Sequence, residues 1–173
     1  MLVDDFKRRF DFMQRMSVDF VSAVPDAHWH FSPQLRGSGG AAAAGRHGDG
    51  FAPFCKQLRH VVCVRGVYAE SIVTKRADFS KKHSHYTGAL SREELMLALD
   101  ATHRDLLAKF EGADARDARD ARATIDFFGT PFTLGDLAYT VVQHEAIHHG
   151  QWSVYAALAG FETPLSWRNE WGL

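Results

Sequence analysis

The sequence contains no long run of apolar residues and only two cysteines in 173 positions. A membrane-spanning helix needs about 20 consecutive apolar residues, and the first ten residues, MLVDDFKRRF, mix charged with apolar side chains. We therefore expect no membrane span, no export signal and a cytoplasmic location. Cys55 and Cys63 lie eight residues apart in one expected helix, about 12 Å along its axis. That separation exceeds disulfide reach, so both are expected to be reduced thiols.

An excess of charge of either sign is also absent. Lysine and arginine number 20 and aspartate and glutamate 21, which gives a net charge of −1. The basic residues are scattered along the chain, whereas a surface that binds a phosphate backbone needs them clustered. We therefore do not expect the protein to bind nucleic acid.

The length of the chain predicts one domain over residues 1–173. Apolar residues recur at helical spacing in four segments. The segments are Leu2 to Val24, about Phe51 to Thr74, a segment opened by a Ser91 to Glu94 capping box and ending near Gly112, and Thr133 to Ala159. This pattern predicts an all-α fold, a four-helix bundle with long connections.

Three other segments have their own composition. Residues 32–50 are rich in glycine and alanine without a hydrophobic period, which predicts a flexible connection. Residues 114–122 read DARDARDAR, a charged repeat that could prolong the third helix or form a loop. The residues around Gly129 to Pro131 indicate a short β-hairpin before the last helix.

Histidine is the residue type in excess, with ten in the chain. His144 and His148 lie four residues apart on the apolar stripe of the fourth helix, so their imidazoles should face the interior and reach one metal ion together. His60, in the helix with the most apolar surface, is the best candidate for a third ligand. Three neutral donors would leave a coordination position open, as in catalytic sites. Each histidine could instead be a hydrogen-bonded core residue.

The segment from His144 to Gln151 resembles the closing helix of the DinB/YfiT-like bundle family. The order of earlier features agrees, because a long helix, a Pro25-Asp26 turn and a second helix bearing His60 come before it. The resemblance implies that His60, His144 and His148 bind one divalent metal ion. Nickel or zinc is the ion expected first, with iron or manganese as further candidates. The resemblance also implies a homodimer.

The resemblance implies a metal-dependent enzyme that acts on a small-molecule substrate. It allows either a hydrolase or a transferase that joins a low-molecular-weight thiol to an electrophile, because a bound metal ion activates both water and thiols. Further catalytic candidates are Glu145, His149 and Arg65. His149 stands where many family members have arginine, so an anion-binding role at that position does not carry over. Arg65 and Arg168 could bind an acidic thiol cofactor, although both are expected at the surface.

Two alternative interpretations use the same residues. His144, Glu145 and His148 match the H-E-x-x-H motif of zinc peptidases, in which the glutamate is the general base. The metzincin form fails, because Gln151 and Val154 occupy the positions of its glycine and its third histidine. Glu145 is rotated by about 100° from His144 around the helix, so it is expected to support a ligand or contact the surface.

The second alternative is a non-catalytic, metal-binding stress-response bundle. Structural zinc sites usually have four protein ligands and often include cysteine. Cys63 lies three residues after His60 and could supply the fourth ligand.

Overall fold

The computed structural model describes residues 2–33, 52–117 and 124–172. The glycine- and alanine-rich connection predicted over 32–50 lies outside the described residues from position 34 onward. Residues 118–123 of the charged repeat also lie outside them. Its first residues, 114–117, continue the third helix.

Helices dominate the described residues, as the sequence predicted. Four long helices and one short one are present: α1 (Leu2–Ala23), α2 (Phe54–Thr74), α3 (Arg92–Asp117), α4 (Leu134–Ala159) and α5 (Leu165–Trp171). Two short 3₁₀ segments, Asp26–His28 and Phe79–His85, follow α1 and α2. No helix within the described ranges is both long and apolar enough to cross a bilayer.

The predicted β-hairpin is confirmed. Strands β1 (Ile125–Phe127) and β2 (Thr130–Phe132) pair antiparallel, with Ile125 opposite Phe132. The backbone of Asp126 also bonds to Lys75 and Ala77, just after α2. The hairpin is therefore attached to the C-terminal end of α2.

The ends of α4 follow their sequence signals. Thr133 and Asp136 form a capping box in which each side chain accepts from the other's backbone N–H. Gly160 ends the helix with a left-handed φ of 77°, a conformation that costs glycine little. In α3, the Ser91 hydroxyl accepts from the Glu94 amide, while the Glu94 carboxylate accepts from the Ala89 amide.

The sequence predicted that helix α3 ends near Gly112. The helix instead continues to Asp117. A glycine inside a helix costs only about 1 kcal/mol relative to alanine. Ala113, the next residue, is fully buried against the hydrophobic core. Burial of Ala113 offsets part of the conformational cost of the glycine.

The core consists of two apolar clusters along the bundle. One is rich in large rings and includes Phe20, Trp152 and Trp167. The other surrounds Phe10 and Phe110. Both α2 and α4 contribute residues to the first cluster at one end and to the second at the other. The predicted metal ligands occupy the stretch of both helices where the two clusters meet.

Candidate metal site

Three histidine side chains from α2 and α4 meet at one point. The Nε2 atom of His144 lies 3.4 Å from Nε2 of His60 and 3.1 Å from Nε2 of His148. One ligand nitrogen from each of the three residues lies within 4.8 Å of the other two. These three residues, the three-histidine cluster, could hold a metal ion.

The helical geometry explains the convergence. His144 and His148 are one turn apart on α4, so their rings project from the same face, with centroids 4.5 Å apart. The buried residues Leu137 and Val141 lie on the same stripe and turn it toward the core. His60 projects from α2 across the helix interface, with its ring centroid 5.0 Å from that of His148.

The spacing of the nitrogens suits a metal ion. Around a tetrahedral zinc ion the ligand nitrogens lie about 3.3 Å apart, because each is about 2.0–2.1 Å from the ion. The two Nε2 distances measured from His144 fall on either side of that value. In the described residues no cysteine or carboxylate joins the cluster, so Cys63 is not placed as a fourth donor. The cluster therefore offers three nitrogen donors, with no fourth protein donor among the described residues.

The electrostatics keep the imidazoles available as ligands. Burial, together with the neighbouring His148 and His60 rings, lowers the pKa of His144 to about 3. Burial also lowers the pKa of His148, an effect that the Glu145 charge and a contact with the Gln151 side chain oppose. Neutral histidines have the lone pairs that metal binding requires. His144 and His148 are therefore uncharged and able to bind a metal ion near pH 7.

Arg65 is completely buried, so the expectation that it lies at the surface is wrong. Its Nε and Nη2 atoms donate to Glu145 Oε1 and Oε2 at 2.8 and 2.9 Å. Its Nη1 atom donates to Gln14 Oε1 and to the Leu99 carbonyl at 2.7 and 2.9 Å. A buried charge is tolerated when it is paired and hydrogen-bonded to this extent. Arg168, in contrast, is exposed and pairs with Glu162, as expected.

Glu145 is also buried, at 1% exposure. Burial by itself would raise the pKa of its carboxyl group, but the Arg65 guanidinium outweighs burial and holds that pKa below its ordinary value. Both carboxylate oxygens accept hydrogen bonds from Arg65. A general base must lie within hydrogen-bond reach of the proton that it removes, whereas Glu145 is turned into the core toward Arg65. This arrangement does not provide the free glutamate that the peptidase interpretation requires.

His149 points away from the three-histidine cluster although it follows His148 directly. Its Nε2 atom lies 2.8 Å from the Ser17 hydroxyl of α1, and both side chains are buried. Its ring packs against Trp152 and Trp167, with centroids 5.4 and 5.0 Å away. Burial lowers the pKa of His149 to about 4. His149 therefore takes part in a neutral polar contact between α1 and α4.

One residue beside the cluster had not been singled out from the sequence. The buried Tyr68 ring stands edge-on to the His144 ring, with centroids 5.9 Å apart. Tyr68 lies eight residues, about two turns, after His60. That spacing places it on the same face of α2 and could have identified it in advance.

The chain was compared with models of known protein families. The model of the DinB superfamily matches residues 9–152, most of the 173 residues. The matched range includes all three members of the cluster. No curated protein matches the chain.

Proposed function

The chain belongs to the DinB superfamily, and from that membership and the three-histidine cluster we propose that it is a metal-dependent enzyme. His60, His144 and His148 bind one divalent metal ion and leave a coordination position open to a small-molecule substrate. The observation that carries the proposal is the separation of the Nε2 atoms, 3.1 and 3.4 Å, from two different helices. Nickel or zinc is the ion proposed first, with iron or manganese next.

A bound ion would act as a Lewis acid toward a water molecule or a thiol in the open position. The chain's residues would hold that ion through three uncharged nitrogens. The Tyr68 ring and the apolar residues on each side of the cluster would shield the ligands from bulk water. The proposed reaction is either hydrolysis or transfer of a low-molecular-weight thiol to an electrophile.

Two observations favour this enzyme over the alternatives. Glu145 is bound to Arg65 through both oxygens, which removes the proposed base of a zinc peptidase. A purely structural zinc site usually has four protein ligands, whereas the cluster has three among the described residues. An open position favours chemistry over a static link between helices.

The first experiment is to purify the chain without a histidine tag and measure bound metal by elemental mass spectrometry. We expect about one ion per chain and its loss from H60A, H144A and H148A. H103A is the matched control, because His103 is a partly buried histidine of α3 outside the cluster. Metal retained by H60A, or absent from the wild-type protein, would contradict the proposal.

Activity is tested next on the metal-loaded protein. Thiol cofactors are screened with electrophiles, and ester and amide substrates are screened in parallel, with H144A as the blank. Turnover that requires both the metal and His144 supports an enzyme. A metal-loaded protein without turnover in either screen would favour the non-catalytic metal-binding bundle.

We further propose that the protein is a cytoplasmic homodimer. Both cysteines are free thiols, which suits a reducing compartment. The exposed face of α4 bears four large apolar residues, Tyr139, Ile147, Val154 and Leu158, each more than half exposed. Gln143, Gly150 and Ala157 are the other exposed residues between them, so this face is uncharged.

An uncharged apolar face suits a second copy of itself across a two-fold axis. Light scattering should give a dimer for the wild-type protein and a monomer for I147E. E93Q, on the exposed start of α3, is the control for a surface charge change. A wild-type monomer at micromolar concentration would contradict this proposal.

A further inference from the structure

Arg65 connects all four long helices of the bundle. It belongs to α2, and its guanidinium bonds to Glu145 on α4, Gln14 on α1 and the Leu99 carbonyl on α3. The guanidinium also lies over the ring of Phe10, 4.8 Å from its centroid. One side chain at the centre of the bundle thus touches every long helix.

Stability alone does not account for this arrangement. Taking two charges out of water carries a large desolvation penalty, and replacing a buried ion pair by apolar residues of similar volume is often neutral or stabilising. The surrounding residues Phe10 and Leu99 are fully buried and apolar. An apolar pair could therefore fill the same space.

The placement of the pair suggests another role. Arg65 lies five residues after His60 on α2, about 7.5 Å along the axis. Glu145 is the residue directly after His144 on α4. The ion pair therefore joins the same two helices that supply the metal ligands, within about two turns of the cluster.

We infer that the Arg65–Glu145 ion pair positions the metal site by fixing α2 against α4 so that the three imidazoles converge. The inference rests on the proposed function, because it assigns the positioning residues of that site. Two parallel N–H···O bonds define direction as well as distance. They oppose sliding of α2 along α4 and rotation of either helix about its axis. Either motion would separate His60 from His144 and His148.

Glu145 and Arg65 do not contact the ion in this assignment. They act through His144 and His60, whose backbones they hold. The expected consequence is a change in metal affinity and coordination geometry without loss of the fold. Substitution of residues that orient metal ligands typically weakens metal binding by about 10- to 100-fold.

The test is the apolar double variant R65M/E145L, compared with the wild-type protein. We expect it to keep the wild-type helix content and most of the thermal stability, and to bind Zn²⁺ about 10- to 100-fold more weakly in a titration against a chelator. The visible spectrum of bound Co²⁺, which reports coordination geometry, should also change. Equal Zn²⁺ affinity and an unchanged Co²⁺ spectrum would overturn the inference.

R92M is the matched control. Arg92 joins α3 to the end of α1 through the Val21 and Val24 carbonyls and lies over the Trp29 ring. Its loss should lower the thermal midpoint and leave Zn²⁺ affinity unchanged. An equal loss of affinity in R92M would mean that any weakening of the bundle disturbs the site, and the inference would fail.

R65K keeps the inference testable if the double variant does not fold. Lysine retains the charge but has no planar fork for the carboxylate. We expect R65K to fold and to lose part of its Zn²⁺ affinity, whereas wild-type affinity in R65K would overturn the inference.

A wild-type protein without metal affinity would refute the proposed function as well. Normal wild-type binding with normal binding in the variants would refute only the positioning role.

Discussion

Two groups of polar side chains lie side by side in the bundle, and they differ in how many of their polar atoms have hydrogen-bond partners. In the Arg65–Glu145 ion pair, both carboxylate oxygens and all three guanidinium nitrogens have hydrogen-bond partners. In the three-histidine cluster, the Nε2 atoms face one another. The Nδ1 atom of His144 is buried without a partner among the described residues.

The difference distinguishes a network that holds the helices in place from a cluster that could hold a metal ion. A fully bonded network needs nothing further and resists rearrangement. Converging nitrogen lone pairs stabilise one another little, whereas a cation bound between them would lower their free energy considerably. Neighbouring residues of α4 therefore differ in their proposed roles, because Glu145 fixes the helices in place and His144 is a proposed metal ligand.

The largest effect is expected from breaking the ion pair on one side only. The single variant R65M leaves the Glu145 charge buried without its partner, which should cost about 3–5 kcal/mol of unfolding free energy. Urea unfolding measures the change. R65M/E145L should recover most of that loss, and an equal loss in both variants would show that packing rather than charge dominates.

Metal should stabilise the protein through the cluster alone. Zn²⁺ or Ni²⁺ at 100 times its dissociation constant should add about 2.7 kcal/mol to the unfolding free energy, and a chelator should remove the gain. Thermal unfolding with and without metal measures it. H144L should show no gain from metal, and a gain equal to that of the wild-type protein would place the ion elsewhere.

A smaller effect is expected at the contact between α1 and α4. S17A removes the hydroxyl that lies 2.8 Å from His149 Nε2, leaving a buried polar atom unsatisfied at a cost of about 1–3 kcal/mol. Urea unfolding measures the cost. Metal content should stay at the wild-type level, and its loss in S17A would mean that His149 supports the cluster.

The smallest effect is expected at the start of α4. T133A removes the side chain that caps this helix and should cost about 1 kcal/mol. D136N, which keeps the size of its side chain, should cost less. Circular dichroism during thermal unfolding ranks the two variants. Metal affinity should be unchanged in both, because the cap lies about three turns from His144.

Much of the fold follows from local signals in the sequence. The capping box at Thr133, the stop at Gly160 and the stripe through His144 and His148 are short-range patterns with direct physical causes. The β-hairpin before α4 follows from its turn residues in the same way. The prediction that His60 meets the α4 pair rests on the burial pattern of α2 together with the family resemblance.

The burial of Arg65 could not be read from spacing alone. Its partners Glu145, Gln14 and Leu99 lie 80, 51 and 34 residues away in the chain. A side chain that needs three remote helices has no local signal. The apolar character of α2 on nearly every side does favour burial of Arg65, because such a helix has few exposed positions for a charged residue. The Ser17 contact with His149 was missed for the same reason.

The hydrogen bond from Trp167 Nε1 to the Met16 carbonyl joins residues 151 positions apart, and His60 and His144 are 84 positions apart. During synthesis the packing of α1 is therefore complete only once α5 has been made. Contacts between residues so far apart in the sequence form late, because the conformational entropy of the long intervening loop must be lost before the contact forms. The nascent chain cannot assemble its three ligands until α4 has left the ribosome. We therefore expect the proposed metal site to be loaded only after α4 has been synthesised.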